Sequence, residues 1–236
     1  MKIAVCDDEE FYVNNILERI NQFGIEDIVP NKFDGYTDAQ ELLDNYALIR
    51  YDLIFLDIEL KDYNGMDIAK EIKRINSECL IVFVSAYKDY IPESYWIGAS
   101  QFFIKPIDDK IFNQQLVKLV NHYKKLNRSI TFNTTLGSKL IKTRNIIYLE
   151  TCYSTYKLYT TNGTYYGNSK AVMSTKKKLL EYNFFQLNRS IIINFKYVDT
   201  FKSDSLRMIN DDELTITKRK RKEFKEKYFD YIDKEM

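Results

Sequence analysis

Five side chains that can bind a cation or a phosphate stand directly after apolar runs of the sequence. They are Asp7, Asp8, Asp57, Ser85 and Lys105. If those runs are neighbouring parallel strands, their carboxyl ends meet at one edge of a sheet, where doubly wound folds bind ligands. Three carboxylates in one pocket repel each other without a cation, and oxygen ligands favour a hard divalent ion, most simply Mg²⁺. A lysine and a hydroxyl beside that ion are suited to binding a phosphoryl group.

Each of these residues also has a structural interpretation. Paired aspartates after a strand commonly cap the next helix, and Ser85 can act in the same way. Lys105 can be a solvated lysine in an ordinary loop. The arrangement favours a functional site, because all five groups fall at predicted strand ends. A second functional interpretation is a Mg²⁺-dependent phosphatase with an aspartyl-phosphate intermediate, in which Glu59 acts on water, but so short a domain shows no cap insertion or substrate pocket.

The first half of the chain alternates short apolar runs with helical patterns. Near-continuous apolar runs, typical of parallel strands covered on both faces, predict strands over 2–6, 28–33, 52–56, 80–85 and 100–104. Apolar residues near 3.6 spacing predict helices over 9–23, 38–47, 66–75, 89–97 and 109–126. These alternating units predict an α/β fold, an open, doubly wound, five-stranded parallel sheet with right-handed crossovers. Pro92 fits the first turn of its helix.

From residue 127 onward, β-branched and aromatic residues alternate with polar ones, which is typical of antiparallel strands. Asn162-Gly163 is a strong hairpin signal, and Leu136-Gly137 marks another turn. Further elements are predicted as a short helix over 170–182, strands over 190–195, 197–201, 205–209 and 214–217, and a terminal helix over 220–232. We therefore expect two domains, 1–126 and 127–236, the second of them mostly antiparallel β, with a helix running directly into the boundary.

The net charge of +1 conceals opposite charges in the two halves. Residues 1–126 have 14 Lys and Arg against 22 Asp and Glu, a net −8, and residues 127–236 have 21 against 12, a net +9. A basic half can attract a polyanion, and divided charge is a hint of nucleic-acid binding, although charges can also merely solvate two surfaces.

The few cysteines and histidines exclude several kinds of site. Three well-separated cysteines argue against a disulfide framework or a zinc site, and we interpret them as reduced packing residues. A single histidine leaves almost no material for a histidine metal site or a Ser-His-Asp triad. With no signal-peptide pattern and no membrane-length apolar run, we expect a cytoplasmic protein without a membrane partner.

An unbroken basic run over 218–222 stands at the predicted junction of a strand and the terminal helix. Donor side chains and helix-terminal N–H groups can both meet phosphates there, and arginine reads guanine well in a major groove. A lysine-rich helix is also commonly a solvated face. An alternative partner is RNA or protein, because tyrosines over 153–159 partly offer a stacking surface. Tyr156 lies opposite Tyr153 and Tyr159 on a regular strand, so core packing explains at least one face.

The first 125 residues resemble a response-regulator receiver domain, a flavodoxin-like fold. The similarity lies in the acidic pair, the aspartate of "LDIEL", Gly65, the serine and the Lys-Pro pair. It implies that Asp57 accepts a phosphoryl group from a phosphohistidine of a sensor histidine kinase. It also implies Mg²⁺ held by Asp8, Asp57 and the backbone carbonyl of Glu59, with Asp7 acting through water.

The same resemblance implies roles for the remaining site residues. Lys105 pairs with the phosphate, and the Lys105-Pro106 peptide is cis, a form that only proline makes accessible at low cost. Ser85 and Phe102 form the switch pair, in which the hydroxyl moves toward the phosphate while the ring turns inward. Serine here replaces the commoner threonine, and phenylalanine replaces the frequent tyrosine.

Residues 127–236 resemble the LytTR-type DNA-binding domain, through a Tyr-rich strand after "IIYLE", a phenylalanine followed by a three-residue box at Asn188, Arg189 and Ser190, the run "IIIN" and the basic junction near the end. The resemblance implies a β fold whose loops enter successive major grooves of a promoter with direct repeats. The implied DNA contacts are Tyr156, Lys157, Asn188, Arg189, Ser190, Lys218 and Arg219. Asn188 stands where histidine is usual and Gln186 where arginine is frequent. Asparagine can still form a bidentate contact with adenine.

Together these features predict a two-component response regulator. Phosphorylation of Asp57 alters the surface near 89–106 and the last receiver helix and favours a homodimer, whose basic domains bind double-stranded promoter DNA and regulate transcription. The chain is expected to be a phosphoacceptor without catalytic turnover of its own. The alternative is a phosphorylation-controlled regulator that binds RNA or protein.

Overall fold

The computed structural model describes residues 1–23, 33–134, 137–152, 155–168 and 172–235. The chain divides into two compact units, Met1–Lys125 and Leu126–Met236. Among the described residues, no helix is both long enough and apolar enough to span a lipid bilayer.

The first unit alternates strands and helices along the chain. Its strands are β1 (Ile3–Cys6), β2 (Phe33–Tyr36), β3 (Leu53–Leu56), β4 (Glu59–Leu60), β5 (Tyr63–Asn64), β6 (Leu80–Ser85) and β7 (Gln101–Ile104). Its helices are α1 (Glu10–Gln22), α2 (Ala39–Ile49), α3 (Gly65–Ile75), α4 (Ile91–Ile97) and α5 (Asp109–Asn127), with a 3₁₀ turn at Lys88–Tyr90. Residues 28–32 of the predicted second strand lie outside the described residues, and β2 extends beyond the predicted end at residue 33.

The five-stranded sheet has the order β2-β1-β3-β6-β7 and is parallel throughout, which confirms the predicted fold. Strands β1, β3 and β6 are buried at every residue, because helices cover both faces of a sheet of this kind. The edge strands β2 and β7 are only partly buried. The central position of β3 places β1 and β6 beside it, so the residues that follow these strands meet at one edge.

Local sequence signals set the ends of several helices. The Asp38 carboxylate caps α2 by accepting from the Glu41 amide at 2.9 Å, and the Asn64 side chain caps α3 by accepting from the Met66 amide at 2.8 Å. Pro92 lies in the first turn of α4, as predicted. The prediction of packing cysteines is confirmed for Cys6 and Cys79, which are buried, and is wrong for Cys152, which is exposed at the end of a strand.

The second unit is built mainly from antiparallel strands. These are β8 (Ser129–Thr134), β9 (Gly137–Lys142), β10 (Ile146–Cys152), β11 (Thr155–Thr160), β12 (Gly163–Asn168), β13 (Phe184–Gln186), β14 (Ile191–Asn194), β15 (Val198–Phe201), β16 (Ser205–Met208) and β17 (Glu213–Thr215). Its helices are α6 (Val172–Leu180) and α7 (Arg221–Glu235), with 3₁₀ turns at Thr143–Asn145, Phe195–Tyr197 and Lys218–Lys220. Leu136 of one predicted turn and residues 170–171 of the predicted short helix lie outside the described residues.

Seven of these strands form one sheet with the order β13-β14-β10-β11-β12-β8-β9, and β15-β16-β17 form a second. Leu149 and Leu158 pair across β10 and β11 on one face, whereas Tyr148 and Tyr159 pair on the other. A separate apolar cluster covers each face, the first including Leu179 of α6 and the second Phe224 of α7. The sheet is therefore packed on both sides along its middle strands.

Candidate phosphoacceptor site and nucleic-acid interface

Backbone hydrogen bonds fix the residues just beyond the carboxyl ends of the parallel strands. The Asp57 amide donates to the Cys6 carbonyl at 2.9 Å, and the Lys105 amide donates to the Ser85 carbonyl at 2.9 Å. The Asp7 amide likewise donates to the carbonyl of Tyr36 at 3.1 Å. The sheet ladder thus continues one residue past β1, β3 and β7, so the sheet fixes the backbones of Asp7, Asp57 and Lys105.

Lys105 joins two of the predicted carboxylates. Its Nζ lies 2.7 Å from Asp57 Oδ2 and 2.7 Å from Asp7 Oδ2, but only the contact with Asp57 has hydrogen-bond geometry. The other Asp57 oxygen accepts from the Ile58 amide at 2.6 Å. The Lys105 side chain is only 6% exposed, so the solvated-loop interpretation is wrong. The Lys105-Pro106 peptide is cis, as the resemblance implied.

Asp8 completes a group of acids that can hold a metal ion. Oxygen atoms of Asp7, Asp8 and Asp57 lie within 4.8 Å of one another, with Asp8 exposed and the other two buried. Three carboxylates and one ammonium leave two negative charges in excess when all are ionised, which matches a divalent cation. The buried Asp7 Oδ2 also lacks a directed hydrogen bond. An all-oxygen set with this charge fits Mg²⁺.

The electrostatics of this group follow from burial and proximity. Burial raises the pKa of Asp7 to about 6, the nearby Asp57 carboxylate acts in the same direction, and Lys105 opposes both. Burial works against the charge of Lys105, yet its contacts with Asp57 and Asp7 raise the pKa of the amine. The lysine is thus firmly positive beside acids that repel each other, which suits neutralisation of an incoming anion.

The helix-cap interpretation of these residues is wrong. Glu9 is the N-cap of α1 and makes no side-chain cap bond, while the Asp7 carboxylate only accepts from the Glu9 amide at 3.1 Å. The fully buried Ser85 accepts from the Tyr87 amide at 3.2 Å, and the next 3₁₀ turn is capped at Tyr87. The acids and the hydroxyl are therefore left for another role.

Phe102 and Glu59 are the two remaining residues predicted for the receiver site, and they lie near the same edge of the sheet. Phe102 is half-buried against the core, with its ring centroid 6.4 Å from that of Phe83. The Glu59 side chain is exposed and accepts from the Tyr90 hydroxyl at 3.4 Å, so it links β4 to the turn before α4. Sequence reasoning missed Tyr12 of α1, whose ring centroid lies 3.8 Å from Lys105 Nζ. No local pattern distinguishes this tyrosine from other half-buried helix residues.

Gly65 allows the start of α3 to approach the loop after Asp57. A Cβ at this position would lie 1.9 Å from the Asp57 carbonyl oxygen and 2.9 Å from the Ile58 Cα. Because both neighbours are backbone atoms in the site, neither can rotate away. The glycine therefore keeps the loop after β3 close to α3.

Gly65→Ala is expected to lower the free energy of unfolding by about 1–3 kcal/mol and to displace Asp57. Alanine normally stabilises a helix relative to glycine, so a loss of stability would have to come from this contact. Urea unfolding checks the result. Gly35→Ala is the control for position, because its Cβ would lie 2.5 Å from Val13 Cγ1 and 3.0 Å from Leu17 Cδ1, so it can also lower stability but leaves the Asp57 loop in place. Equal stability of wild type and Gly65→Ala would contradict the steric argument.

In the second unit, the predicted box Asn188–Ser190 forms a loop between β13 and β14. Arg189 is exposed, while Asn188 and Ser190 are half-buried. The structure brings this box close to the basic junction, because the Thr217 hydroxyl donates to the Leu187 carbonyl at 3.0 Å. Two segments that are 30 residues apart are thus held side by side.

The basic junction separates into paired and unpaired cations. Lys220 lies 2.7 Å from Glu223, and the Arg221 guanidinium lies 3.8 Å from Asp204. Lys218 and Arg219 are exposed, and no carboxylate of the described residues lies within ion-pair distance of either. These two side chains, which the sequence singled out, are the ones available to an outside anion.

The strand residues of the predicted interface do not share this exposure. Tyr156 is fully buried, edge-on to Phe132 with ring centroids 4.8 Å apart, so its assignment as a DNA contact is wrong. Lys157 points to the opposite face and is half-buried. The Tyr159 ring stacks on Tyr148 at 4.0 Å, and Tyr153 lies outside the described residues. The described tyrosines of this strand therefore offer no open stacking surface for RNA.

The first unit has a parallel sheet with acids and a lysine at one edge. This combination places the unit in the class of response-regulator receivers. Comparison with known families agrees, since the response regulator receiver domain matches residues 3–118. The LytTr DNA-binding domain matches residues 137–229. The two matches together span most of the chain, which belongs to the response regulators with a LytTR-type DNA-binding domain.

Curated relatives match along most of their length. Sensory transduction protein LytT of Bacillus subtilis strain 168 is 28% identical over 218 residues, covering 84% of each chain. Transcriptional regulatory protein LytR of Staphylococcus aureus strain N315 is 27% identical over 214 residues, covering 84% of this chain and 85% of the relative. Among solved structures, the response regulatory domain of mrkE from Klebsiella pneumoniae covers 53% of this chain and 99% of its own, at 23% identity and a TM-score of 0.47.

Proposed function

We propose that Asp57 accepts a phosphoryl group from the phosphohistidine of a sensor histidine kinase, and that this controls DNA binding by the second unit. The contact that carries the proposal is the buried Lys105 ammonium 2.7 Å from the Asp57 carboxylate. A carboxylate oxygen would form the new bond to phosphorus while the bond to the histidine nitrogen breaks. Lys105 would then neutralise the added negative charge.

The residues that would hold Mg²⁺ are Asp8, Asp57 and the Glu59 carbonyl, with Asp7 acting through water. The donor set is all oxygen, and its excess negative charge supports this assignment. When bound, the ion supplies positive charge to the phosphoryl oxygens. The chain supplies the acceptor and the fixed lysine, and we propose no catalytic turnover beyond that transfer.

Ser85 and Phe102 are the proposed switch pair. The Ser85 hydroxyl would leave the Tyr87 amide and donate to a phosphoryl oxygen. This movement would vacate space beside the core, and the half-buried Phe102 ring would turn inward to fill it. The segment from Tyr87 to α4 would follow, because its first residue is released from Ser85. Phosphorylation would act as a local change of charge that biases a two-state element.

The output proposed for this change is a homodimer formed through the face around α4 and α5. On α4, Tyr95 is 81% exposed and Trp96 is 85% exposed, an unusual position for large aromatic side chains on a short helix. A dimer would present two basic units to direct repeats, and linkage raises the effective concentration at the second repeat. The names of the relatives support regulation of transcription as the outcome.

The proposal is tested on the full chain with acetyl phosphate and Mg²⁺. Light scattering should show a monomer becoming a dimer, and the phosphorylated chain should retain repeat-bearing duplexes enriched from genomic DNA more strongly than the untreated chain. Retention of structured RNA in preference to duplex DNA would contradict the DNA-regulator proposal. Phosphorylation without a rise in the molar mass measured by light scattering would contradict the proposed dimer.

Trp96→Ala is expected to weaken the phosphorylated dimer by about tenfold or more in dissociation constant, because exposed aromatics at a contact commonly dominate its energy. Stability should change little, since the ring is almost fully exposed. Sedimentation of phosphorylated protein measures the effect. The matched control is Leu48→Ala on α2, where the side chain is 84% exposed and away from the proposed face. Similar dimerisation of both variants would exclude Trp96 from the interface.

A further inference from the structure

We infer that Asn188 is a positioning residue, which fixes the loop that carries Arg189 and does not itself read a base. The inference rests on the proposed DNA binding and refines which box residue gives it specificity. Asn188 stands where the family usually has histidine, and its carboxamide makes three hydrogen bonds within the protein.

Both acceptor positions of the Asn188 carboxamide oxygen are already used. Oδ1 accepts from the Ser190 amide at 2.8 Å and from the Ile191 amide at 3.0 Å. A carboxamide oxygen has two lone pairs, so neither remains for a donor on a base. Bidentate contact with adenine needs this oxygen and the amide nitrogen together. Asn188 could make that contact only by releasing two backbone amides of its own loop.

The amide nitrogen of Asn188 also has a hydrogen-bond partner in the protein. Nδ2 donates to the Thr215 carbonyl at 3.4 Å, a long bond that reaches the end of β17. Thr217, two residues further on, donates from its amide and its hydroxyl to the Leu187 carbonyl at 3.3 and 3.0 Å. The bonds to Thr215 and from Thr217 lie on either side of the start of the box. They connect it to the end of β17 and to the residues that lead into the basic junction.

Two further side chains hold the other side of the loop. Lys176 Nζ donates to the Arg189 carbonyl at 3.0 Å, and burial lowers the pKa of this lysine. Thr151 donates from its amide and its hydroxyl to the Ser190 carbonyl at 2.8 and 3.1 Å. The backbone of the box is therefore held by Thr151 of β10 and Lys176 of α6, as well as by Asn188 from within.

Arg189 is the one box residue whose side chain the structure leaves exposed. Its backbone carbonyl is held by Lys176, while its guanidinium has no ion-pair partner among the described residues. A rigid loop that presents a single arginine suits bidentate recognition of guanine, because less conformational freedom is lost on binding. Asn188 would act on affinity through Arg189, and the two residues should therefore be coupled.

A double-mutant cycle on the full chain tests this coupling. The probes are a duplex enriched from a random-sequence library by the wild-type chain and the unselected library itself. Arg189→Ala and Asn188→Ala should each weaken binding to the enriched duplex about tenfold. In the Arg189→Ala background, Asn188→Ala should cost less than about twofold more. A further tenfold loss in that background, which an independent base reader gives, would overturn the inference.

The conservative variant Asn188→Asp separates positioning from base reading. Aspartate still accepts from the Ser190 and Ile191 amides, but it can donate neither to adenine N7 nor to the Thr215 carbonyl, so the loop gives up only its long 3.4 Å bond. Its added charge weakens binding to all DNA, so the readout is the ratio of affinities for the enriched duplex and the library. Positioning predicts that Asn188→Asp retains this ratio and Asn188→Ala loses it. Loss of the ratio in Asn188→Asp would favour base reading and contradict the inference.

Amide hydrogen exchange gives a readout that needs no DNA. The Ser190 and Ile191 amides should exchange faster in Asn188→Ala and remain protected in Asn188→Asp, while the amides of the β10–β11 pair stay protected and show that the fold persists. Unchanged exchange in Asn188→Ala would overturn the inference. If the wild-type chain binds no duplex, the proposed function fails, and exchange still decides whether Asn188 holds the loop.

Discussion

Asp57→Asn is expected to reduce phosphate uptake from acetyl phosphate with Mg²⁺ to background. A carboxamide does not attack phosphorus as a carboxylate does, and the substitution would also withdraw one negative charge from Lys105 and from any bound cation. Intact-mass spectrometry detects the added phosphoryl group directly. The fold should persist, because removing one of three clustered acids relieves repulsion.

Asp62→Asn is the matched control, since this aspartate is exposed in the turn between β4 and β5. It should take up phosphate at the wild-type rate. Uptake by Asp57→Asn at that same rate would refute Asp57 as the acceptor. Loss of uptake together with a lower unfolding midpoint would instead indicate a folding defect, which the thermal scan of the same sample shows.

The acid cluster could be predicted because its position depends on strand ends alone. The end of each apolar run shows where a buried strand stops, and parallel pairing of neighbouring strands brings those ends together. Predicting the positions of Asp7, Asp57 and Lys105 needed no knowledge of side-chain packing. The sequence could not show which side chains from other elements pack against these groups, such as the Tyr12 ring beside Lys105.

The wrong assignment of Tyr156 has a specific physical cause. Alternation along β11 showed that Tyr156 faces away from Tyr159, but it could not show which face is open. The sheet has an apolar cluster on each face, one containing Tyr156 and the other packed against by Tyr159. A strand covered on both sides carries no periodic signal that distinguishes an exposed tyrosine from a buried one.

Short elements were missed for a related reason. β4 and β5 have two residues each and β13 has three, too few for a period to be visible. They matter because β4 places Glu59 after Asp57, and β13 leads into the box. Sequence patterns identify the residue types at such places, whereas their hydrogen-bond partners come from segments far away in the chain, as Thr151 and Thr215 show around the box.

Arg189→Ala and Arg219→Ala are expected to weaken DNA binding by the full chain in different ways. Arg189 stands on a loop fixed at three sides, so its loss should cost about 1–3 kcal/mol on a selected duplex and much less on random DNA. Arg219 lies in the 3₁₀ turn before α7, exposed and without a carboxylate partner among the described residues. Its loss should weaken binding to both duplexes similarly.

Salt dependence separates these two roles. Removing a phosphate contact should lower the slope of log K against log salt by about one, so Arg219→Ala should show a shallower slope and Arg189→Ala a smaller change. Arg74→Ala is the control, because it removes an equal charge from an exposed position on α3, outside the proposed dimer face. Wild-type affinity in both arginine variants would refute the assigned contacts.

Comparing Arg189→Ala with Arg219→Ala also tests whether the divided charge of the chain or local geometry determines DNA binding. If the net +9 of residues 127–236 alone attracted DNA, any exposed cation there would contribute a similar, sequence-independent share. If local geometry determines binding, the contributions should be unequal: Arg189→Ala should reduce discrimination between sequences, and Arg219→Ala should reduce affinity for any duplex. Because Lys220 and Arg221 already have carboxylate partners, their substitution should reduce binding less than that of Arg219, although all three belong to one basic run.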